Sequence, residues 1–204
     1  FTCIDPHPYI APDGQKYLYF VRDRAGSEQK THIWGIKMNT WTDPDYSSLT
    51  RLTRTGYYTV DDQSEENIAT YEGTNNNINE GPYIYERQQA DGSYRYYLTL
   101  SINGYTDKTY TVIQAVGNSP LGPFTKLKEE DGGILIGTDG QSWDHISGPG
   151  HHSFIRVGDE LYILYHEHID RLNGNSQRYA AIDRVVLTHN SKGEEVLYAN
   201  GPTW

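Results

Sequence analysis

The chain has 204 residues, a formal net charge of −10 and one cysteine. This length suffices for one domain or two small ones with a buried core. The acidic balance argues against a nucleic-acid-binding protein, no apolar run is long enough to cross a bilayer, and one cysteine cannot form an intrachain disulfide.

Strand-like runs follow one another along the chain, and helical periodicity is nearly absent. Each run is short, aromatic or β-branched, and bounded by Gly, Asp, Asn or Pro, which is typical of an all-β protein. Only the sequence of residues 61–73 is compatible with one or two helical turns, and it favours a loop over a helix. The predicted strands are 16–23, 31–39, 94–101, 108–117, 160–168 and 179–189.

Tyrosine dominates the aromatic residues, with 18 Tyr against 4 Phe and 4 Trp. Its ring has a high strand propensity, and its polar tip also suits half-wet surfaces and stacking on sugar rings. The composition alone leaves both interpretations open.

A repeat organises the strands. Three times the sequence has a Pro- or Gly-flanked approach, a tight turn, a Tyr-rich strand, a loop and a second strand. Leu18, Leu98 and Ile163 hold equivalent places in the three units. The pairs Asp13-Gly14 and Asp91-Gly92 predict tight hairpin turns, because such turns need positive φ angles.

Units of this length, each an antiparallel sheet of about four strands, are the building blocks of β-propellers. We assign the units to residues 1–75, 76–140 and 141–204. Propellers close with about four to eight blades, and three blades would leave open sheet edges. We therefore predict a partial β-propeller, completed by an N-terminal segment or a second chain.

Three titratable residues begin the units: Asp5 in CIDP, Glu80 in NEGP and His151 in GPGHHSF. The innermost strand of a blade begins at the central funnel, so we expect these side chains to meet there from matching positions. Two carboxylates across a sugar-sized gap are the groups that glycoside hydrolysis requires. Glu80 suits the general acid if the surrounding tyrosines exclude water and keep it protonated.

The motifs IDPHPYIAPDGQKYLYF, NEGPYIYERQQADGSYRYYLTLS and GPGHHSFIRVGDELYILYH, with the closing NGPT, resemble those of glycoside hydrolase family 43. The resemblance covers nearly the whole chain in the same order and spacing. It implies a five-bladed β-propeller, of which this chain supplies about three blades. It also implies an inverting hydrolase, because this family of arabinanases, α-L-arabinofuranosidases and β-xylosidases inverts the anomeric centre.

By this resemblance the general acid falls on Glu80, and the aspartate that tunes and orients the acid falls on Asp5. His151 falls on the histidine that reaches a calcium ion in the central channel, partly through water. The family's general base lies about two blades before Asp5, where this sequence has only FTCI. We therefore expect the base on a separate segment or chain.

Further candidates lie around these residues. Trp143 and His145, with Tyr83, are candidates for contacts with a sugar, and packing at a blade interface is an equal alternative for Trp143. His166 and His168 alternate along one strand and share a face. Two such histidines suit a metal such as zinc, but no third ligand is evident, and the family resemblance favours a structural or channel-lining role.

The expected function is that of an α-L-arabinofuranosidase or arabinanase, because the Tyr- and Asn-rich loop YEGTNNNINEG looks more arabinose-directed than xylose-directed. The alternatives are a β-xylosidase and a carbohydrate-binding propeller without its base; charged residues at the blade starts disfavour a purely structural propeller. We expect a carbohydrate partner, and neither nucleic acid nor a membrane. A polysaccharide substrate suggests a secreted or periplasmic protein, although FTCIDPHPYI contains no export signal.

Overall fold

The computed structural model describes residues 2–23, 30–73, 77–138, 146–169 and 177–203. Within these ranges it has thirteen strands and two single-turn 3-10 helices. The strands are β1 (Thr2–Ile10), β2 (Lys16–Asp23), β3 (His32–Thr40), β4 (Asp43–Arg51), β5 (Asn79–Gln88), β6 (Tyr94–Ile102), β7 (Thr111–Gly117), β8 (Thr125–Lys126), β9 (Ile134–Ile136), β10 (Ser147–Val157), β11 (Glu160–His168), β12 (Tyr179–His189) and β13 (Glu195–Ala199). None of the helices in the described residues is long and apolar enough to cross a membrane.

The described strands form three antiparallel sheets that follow one another in the chain. The first sheet has the order β1-β2-β3-β4, and the third sheet has the order β10-β11-β12-β13. The middle sheet has the order β5-β6-β7-β8, with β9 also paired to β7. The all-β prediction is confirmed, and each sheet lies within one of the three ranges assigned from the repeat.

The predicted strands all occur, and β2, β11 and β12 have the bounds that the sequence predicts. Within residues 61–73 the only described helix is the 3-10 turn Glu65–Asn67, so the loop prediction is correct. Strand β4 was not predicted, because its sequence DPDYSSLTR is too polar to give a strand signal.

The hairpin turns have the predicted conformations. Gly14 and Gly92 have φ angles of 85° and 87°, which cost glycine nothing because it has no Cβ. In each turn the preceding aspartate accepts a hydrogen bond from the backbone N–H two residues on, at 2.9 Å. These Asx turns explain why Asp precedes Gly at both sites.

The middle sheet is buried on both faces, because it packs between the other two sheets. Successive residues of a strand point to opposite faces, so each strand contributes to both contacts. On β6, Leu98 and Leu100 pack against the first sheet, in a cluster that includes Tyr19. Tyr97 points the other way and packs against the third sheet, in a cluster that includes Ile163. The tyrosine hydroxyls cross both junctions: Tyr19 donates to the Pro120 carbonyl at 2.7 Å, and Tyr97 to Glu195 Oε1 at 3.0 Å.

Each sheet has a β-bulge near the start of its first strand, where two residues oppose one residue of the second strand. A bulge of this kind re-aims the side chains beside it. The first bulge residue has a left-handed backbone in all three sheets, a conformation that Gly, Asp and His adopt more readily than most residues. These residues are Asp5 (φ 54°), Gly81 (φ 57°) and His151 (φ 51°).

The bulges correct one detail of the repeat. Glu80 precedes the bulge of β5, and Gly81 is the residue that matches Asp5 and His151. The prediction that Glu80 occupies the matching position is therefore wrong by one residue. Gly81 has the left-handed backbone of the bulge, and the carboxylate belongs to the residue before it. The equivalence of Leu18, Leu98 and Ile163 is confirmed: each pairs with the second residue beyond its bulge.

The flanking sheets each expose one apolar face in the described part of the chain. The first sheet has a groove of about 520 Å³ that includes Phe20 and Met38. On the third sheet, Val157 and Ile182 are 57% and 54% exposed. Contiguous exposed apolar surface on a soluble domain marks a contact face.

Candidate active site

The structure brings together Asp5, Glu80 and His151, at the starts of β1, β5 and β10. Asp5 Oδ1 lies 3.8 Å from His151 Nε2, and Glu80 Oε1 lies 3.9 Å from His151 Nδ1. Three residues that are far apart in the sequence thus form one cluster, with the imidazole between the two carboxylates.

Asp5 acts on the backbone beside the acid. Its Oδ2 accepts a hydrogen bond of 2.9 Å from the backbone N–H of Gly81. Because Gly81 follows Glu80 directly, this bond fixes the peptide that carries the proposed acid. A Cβ at Gly81 would lie 3.6 Å from the Cα of His151, so the bulges of the middle and third sheets are in close contact here.

Glu80 is largely buried, with 14% of its side chain exposed. The Tyr110 hydroxyl donates a hydrogen bond to Glu80 Oε1 at 2.5 Å. Burial raises the pKa of Tyr110 well above its usual range, and the negative charge of Glu80 adds to the rise. The sequence places Tyr110 only within the predicted strand 108–117, and its contact with Glu80 was not predicted; in the structure it directly precedes β7.

His151 lies between the two carboxylates, which favour the protonated form of its ring. The Glu80 carboxylate facing its ring raises the pKa of His151, burial opposes the rise, and Asp5 adds to it. Its backbone N–H donates to the Ser101 hydroxyl of β6 at 2.8 Å, which ties the bulge of the third sheet to the middle sheet. When His151 is protonated, its charge reduces the repulsion between Asp5 and Glu80.

His166 and His168 do share a face, with ring centroids 6.0 Å apart. The His166 ring stacks on Tyr110, with centroids 5.4 Å apart, and burial lowers the pKa of His166 to about 4. The ring nitrogens of His168 lie 3.0 and 2.8 Å from the carbonyl oxygens of Gln177 and Tyr105. Both histidines therefore have structural contacts, as the family resemblance suggests.

Metal binding by these residues has no support from their arrangement. Among the described residues, no group of three or more His, Cys, Asp or Glu side chains is placed to hold a metal ion. Calcium prefers six to eight oxygen ligands, whereas both ring nitrogens of His151 face carboxylates. The described residues do not form a calcium site by themselves, and calcium binding stays a prediction.

Two of the predicted sugar contacts, Trp143 and His145, lie outside the described residues. Tyr83 packs at the junction of the three sheets: its ring centroid lies 4.1 Å from that of His7 and 5.1 Å from that of Phe154. These are packing contacts, and a contact between Tyr83 and a sugar stays a prediction.

Two neutral histidines lie behind the cluster. His152 is buried, and its Nε2 is 2.6 Å from the Thr99 hydroxyl. Burial lowers the pKa of His152 to about 3 and that of His7 to about 4. Both rings therefore pack as neutral groups inside the molecule, and no sequence pattern indicates which histidines are buried.

A buried ion pair holds the segment that leads to Glu80. Lys126 of β8 contacts Glu72 and donates to the Arg54 carbonyl at 2.9 Å. The second oxygen of Glu72 accepts hydrogen bonds from the Gly56 N–H at 2.6 Å and from the Asn79 amide at 3.3 Å. Because Asn79 precedes Glu80, the network anchors the entry to β5.

An open cavity of about 470 Å³ adjoins the cluster. His151, His166, Arg178 and Tyr179 are among the residues that line it. The Arg178 guanidinium lies 4.9 Å above the Tyr105 ring. The cavity provides polar and aromatic groups beside a buried carboxyl, which is the kind of surface that binds a sugar.

Comparison with known proteins identifies the family. The family model described as "Glycosyl hydrolases family 43" matches residues 1–191. The chain belongs to glycosyl hydrolase family 43. The resemblance stated from the motifs is thereby confirmed.

Individual family 43 relatives agree with this assignment. A "Beta-D-galactofuranosidase xynD" from Aspergillus niger is 31% identical over 116 residues, which are 56% of this chain and 30% of that protein. The crystal structure of "a thermostable family-43 glycoside hydrolase" superposes with a TM-score of 0.72 at 27% identity, over 100% of this chain and 59% of that one. An α-L-arabinofuranosidase from Lactobacillus brevis shares the fold, with a TM-score of 0.68 at 19% identity over 95% of this chain and 55% of that one.

The chain thus spans between about a third and three-fifths of these relatives. The three sheets in its described residues are blades of a five-bladed β-propeller, as the sequence resemblance implied.

Proposed function

We propose that this family 43 chain is the acid-bearing part of an inverting glycoside hydrolase that acts on arabinose-containing plant polysaccharides. The observation that carries the proposal is the cluster itself: a buried Glu80, with Asp5 bonded to the adjoining peptide and His151 between the two carboxylates. A family 43 hydrolase needs a positioned acid, and this cluster supplies one.

In the proposed reaction Glu80 transfers its proton to the glycosidic oxygen as the bond between that oxygen and the anomeric carbon breaks. The bonding electron pair stays on the departing oxygen. A water molecule attacks the anomeric carbon from the opposite face and gives its proton to a second carboxylate. The product therefore has the inverted configuration.

The second carboxylate is proposed to come from the segment that completes the propeller. The exposed apolar faces of the first and third sheets support this, because a blade on each face would bury them. We call this chain together with that segment the complete assembly. A polymeric plant substrate occurs outside cells, which supports a secreted or periplasmic location.

The substrate is proposed to be a furanoside. Two relatives are named for furanosides, a galactofuranosidase and an α-L-arabinofuranosidase. The alternative is a β-xylosidase, because a xylan β-1,4-xylosidase from Bacillus halodurans shares the fold, with a TM-score of 0.65 at 19% identity.

Hydrolysis of aryl α-L-arabinofuranosides and aryl β-D-xylosides by the complete assembly tests the proposal. We expect the arabinofuranoside to be the better substrate and NMR to show inversion. Glu80→Ala should lower kcat/KM for phenyl glycosides by about 10²–10⁴, and Asp5→Asn by about tenfold, because only positioning is lost. Glu160→Ala, which removes a half-exposed carboxylate of the third sheet, is the matched control.

A wild-type kcat/KM for the phenyl glycoside of either sugar in Glu80→Ala would disprove the acid assignment. Sugar binding without hydrolysis by the wild-type assembly would instead support a carbohydrate-binding propeller.

A further inference from the structure

Tyr110 contacts both sides of the acid cluster. Its hydroxyl donates to Glu80 Oε1 at 2.5 Å and lies 3.4 Å from His151 Nδ1. The side chain is completely buried. A carboxyl group held by a buried donor on one oxygen has its orientation fixed, because rotation would break the bond and leave the donor unsatisfied.

The Tyr110 ring is itself fixed from two sides. It stacks on His166 with an interplanar angle of 15°. On the third sheet, Gly150 lies so close that a Cβ there would be 2.1 Å from Tyr110 Cε1. Any larger residue at position 150 would displace the ring. The absence of a side chain at Gly150 therefore helps to fix the position of the Tyr110 hydroxyl.

The hydroxyl remains a donor throughout the working pH range. Burial and the charge of Glu80 raise the pKa of Tyr110 well above its usual range, so the phenol does not ionise near neutrality. A neutral carboxyl group has one carbonyl oxygen that accepts and one hydroxyl oxygen that donates. The oxygen that accepts from Tyr110 is therefore the carbonyl oxygen when Glu80 is protonated.

We propose that Tyr110 is a positioning residue that places the transferable proton of Glu80 on Oε2. The proposal rests on the proposed function of Glu80 as general acid. In the reaction the proton moves from Oε2 to the glycosidic oxygen, and Tyr110 keeps its own proton. Without the hydroxyl, the proton occupies either oxygen and the carboxyl group rotates.

The test compares leaving groups, because a glycoside with a very good leaving group needs no proton from the acid. Rates are measured with the complete assembly on phenyl and 2,4-dinitrophenyl glycosides of the sugar that it hydrolyses best. For Tyr110→Phe we expect kcat/KM to fall about 10- to 100-fold on the phenyl glycoside. On the dinitrophenyl glycoside it should stay within about threefold, because that step needs no acid.

Tyr19→Phe is the matched control. Tyr19 is also completely buried, and its hydroxyl bonds to the Pro120 carbonyl rather than to the site. We expect this variant to keep the wild-type ratio of the two rates. A fluorotyrosine at position 110, which retains the hydroxyl and the ring, should also keep it.

An equal fall on both substrates in Tyr110→Phe would overturn the inference, as would an altered ratio in the fluorotyrosine protein. Glu80→Ala in the same series separates the two proposals. If Glu80→Ala shows leaving-group dependence and Tyr110→Phe does not, only the role of Tyr110 is refuted. If Glu80→Ala shows none, the proposed function fails.

Discussion

The middle sheet differs from the two sheets that flank it in what covers its faces. Tyr97 and Leu98 point in opposite directions from β6, and both are completely buried. On the third sheet, Val185 of β12 is buried while its neighbour Val186 is 40% exposed. Strands of the middle and third sheets both carry apolar side chains on their two faces, so the difference lies in which faces a neighbouring sheet covers. The flanking sheets therefore resemble blades that each lack one neighbouring blade.

The largest expected effect concerns charge. Lys126→Met removes the cation of the buried Lys126–Glu72 ion pair, which should lower the free energy of unfolding by about 3–5 kcal/mol. Arg184→Met breaks the exposed pair with Glu160 on the third sheet, and should change stability by no more than about 0.5 kcal/mol. Urea unfolding of the complete assembly measures both. Equal effects would show that the two sheets do not differ in solvation.

Apolar truncation comes next. Leu98→Ala creates a cavity in the middle sheet and should cost about 3 kcal/mol. Ile182→Ala on the third sheet sharpens the comparison, because Ile182 is 54% exposed in this chain. If a blade covers this face, Ile182→Ala should cost about 2 kcal/mol in the complete assembly. A cost below about 0.5 kcal/mol would mean that the face stays open.

The most gradual effect is a dependence on pH at the junction of the middle and third sheets. Because His152 has a pKa of about 3, it stays neutral in the folded protein while the unfolded chain takes up a proton below pH 6.5. Stability is therefore full above pH 6.5 and falls as the pH drops towards 3. One such histidine contributes about 1.4 kcal/mol per pH unit.

His152→Gln retains a donor for the Thr99 hydroxyl but cannot titrate, so the slope of unfolding free energy against pH should decrease by one proton. Urea unfolding at pH 4 to 7 measures the slope. An unchanged slope would contradict the assignment of His152 as a buried neutral residue.

Local patterns predicted much of this fold. The Tyr-rich runs gave β6, β11 and β12 because strand propensity is a property of short segments. The Asp-Gly pairs gave two turns because only glycine adopts their φ angles freely. The unit starts gave Asp5, Glu80 and His151 because a repeated fold presents repeated positions to its centre.

Contacts between blades could not be predicted in this way. Asp5 of the first sheet reaches the Gly81 N–H of the middle sheet across 76 residues, and His151 of the third sheet reaches the Ser101 hydroxyl across 50. Such pairs depend on how one sheet is rotated against the next, and no periodicity in a single chain reports that rotation. The one-residue offset of Glu80 has a different origin, because a bulge is a property of two paired strands within one sheet.

The repeated bulge also makes the centre of this propeller open to redesign. Asp5, Gly81 and His151 offer the same backbone geometry to three different chemistries, so a side chain can be exchanged at one blade without rebuilding the frame. Position 81 is the natural place to begin: a new Cβ there meets nothing nearer than 3.6 Å, and Asn and Asp are the residues that enter its left-handed φ at the smallest cost in strain. A fourth polar side chain can thus be introduced at position 81, beside Asp5, Glu80 and His151, without a change in the backbone of the other two blades.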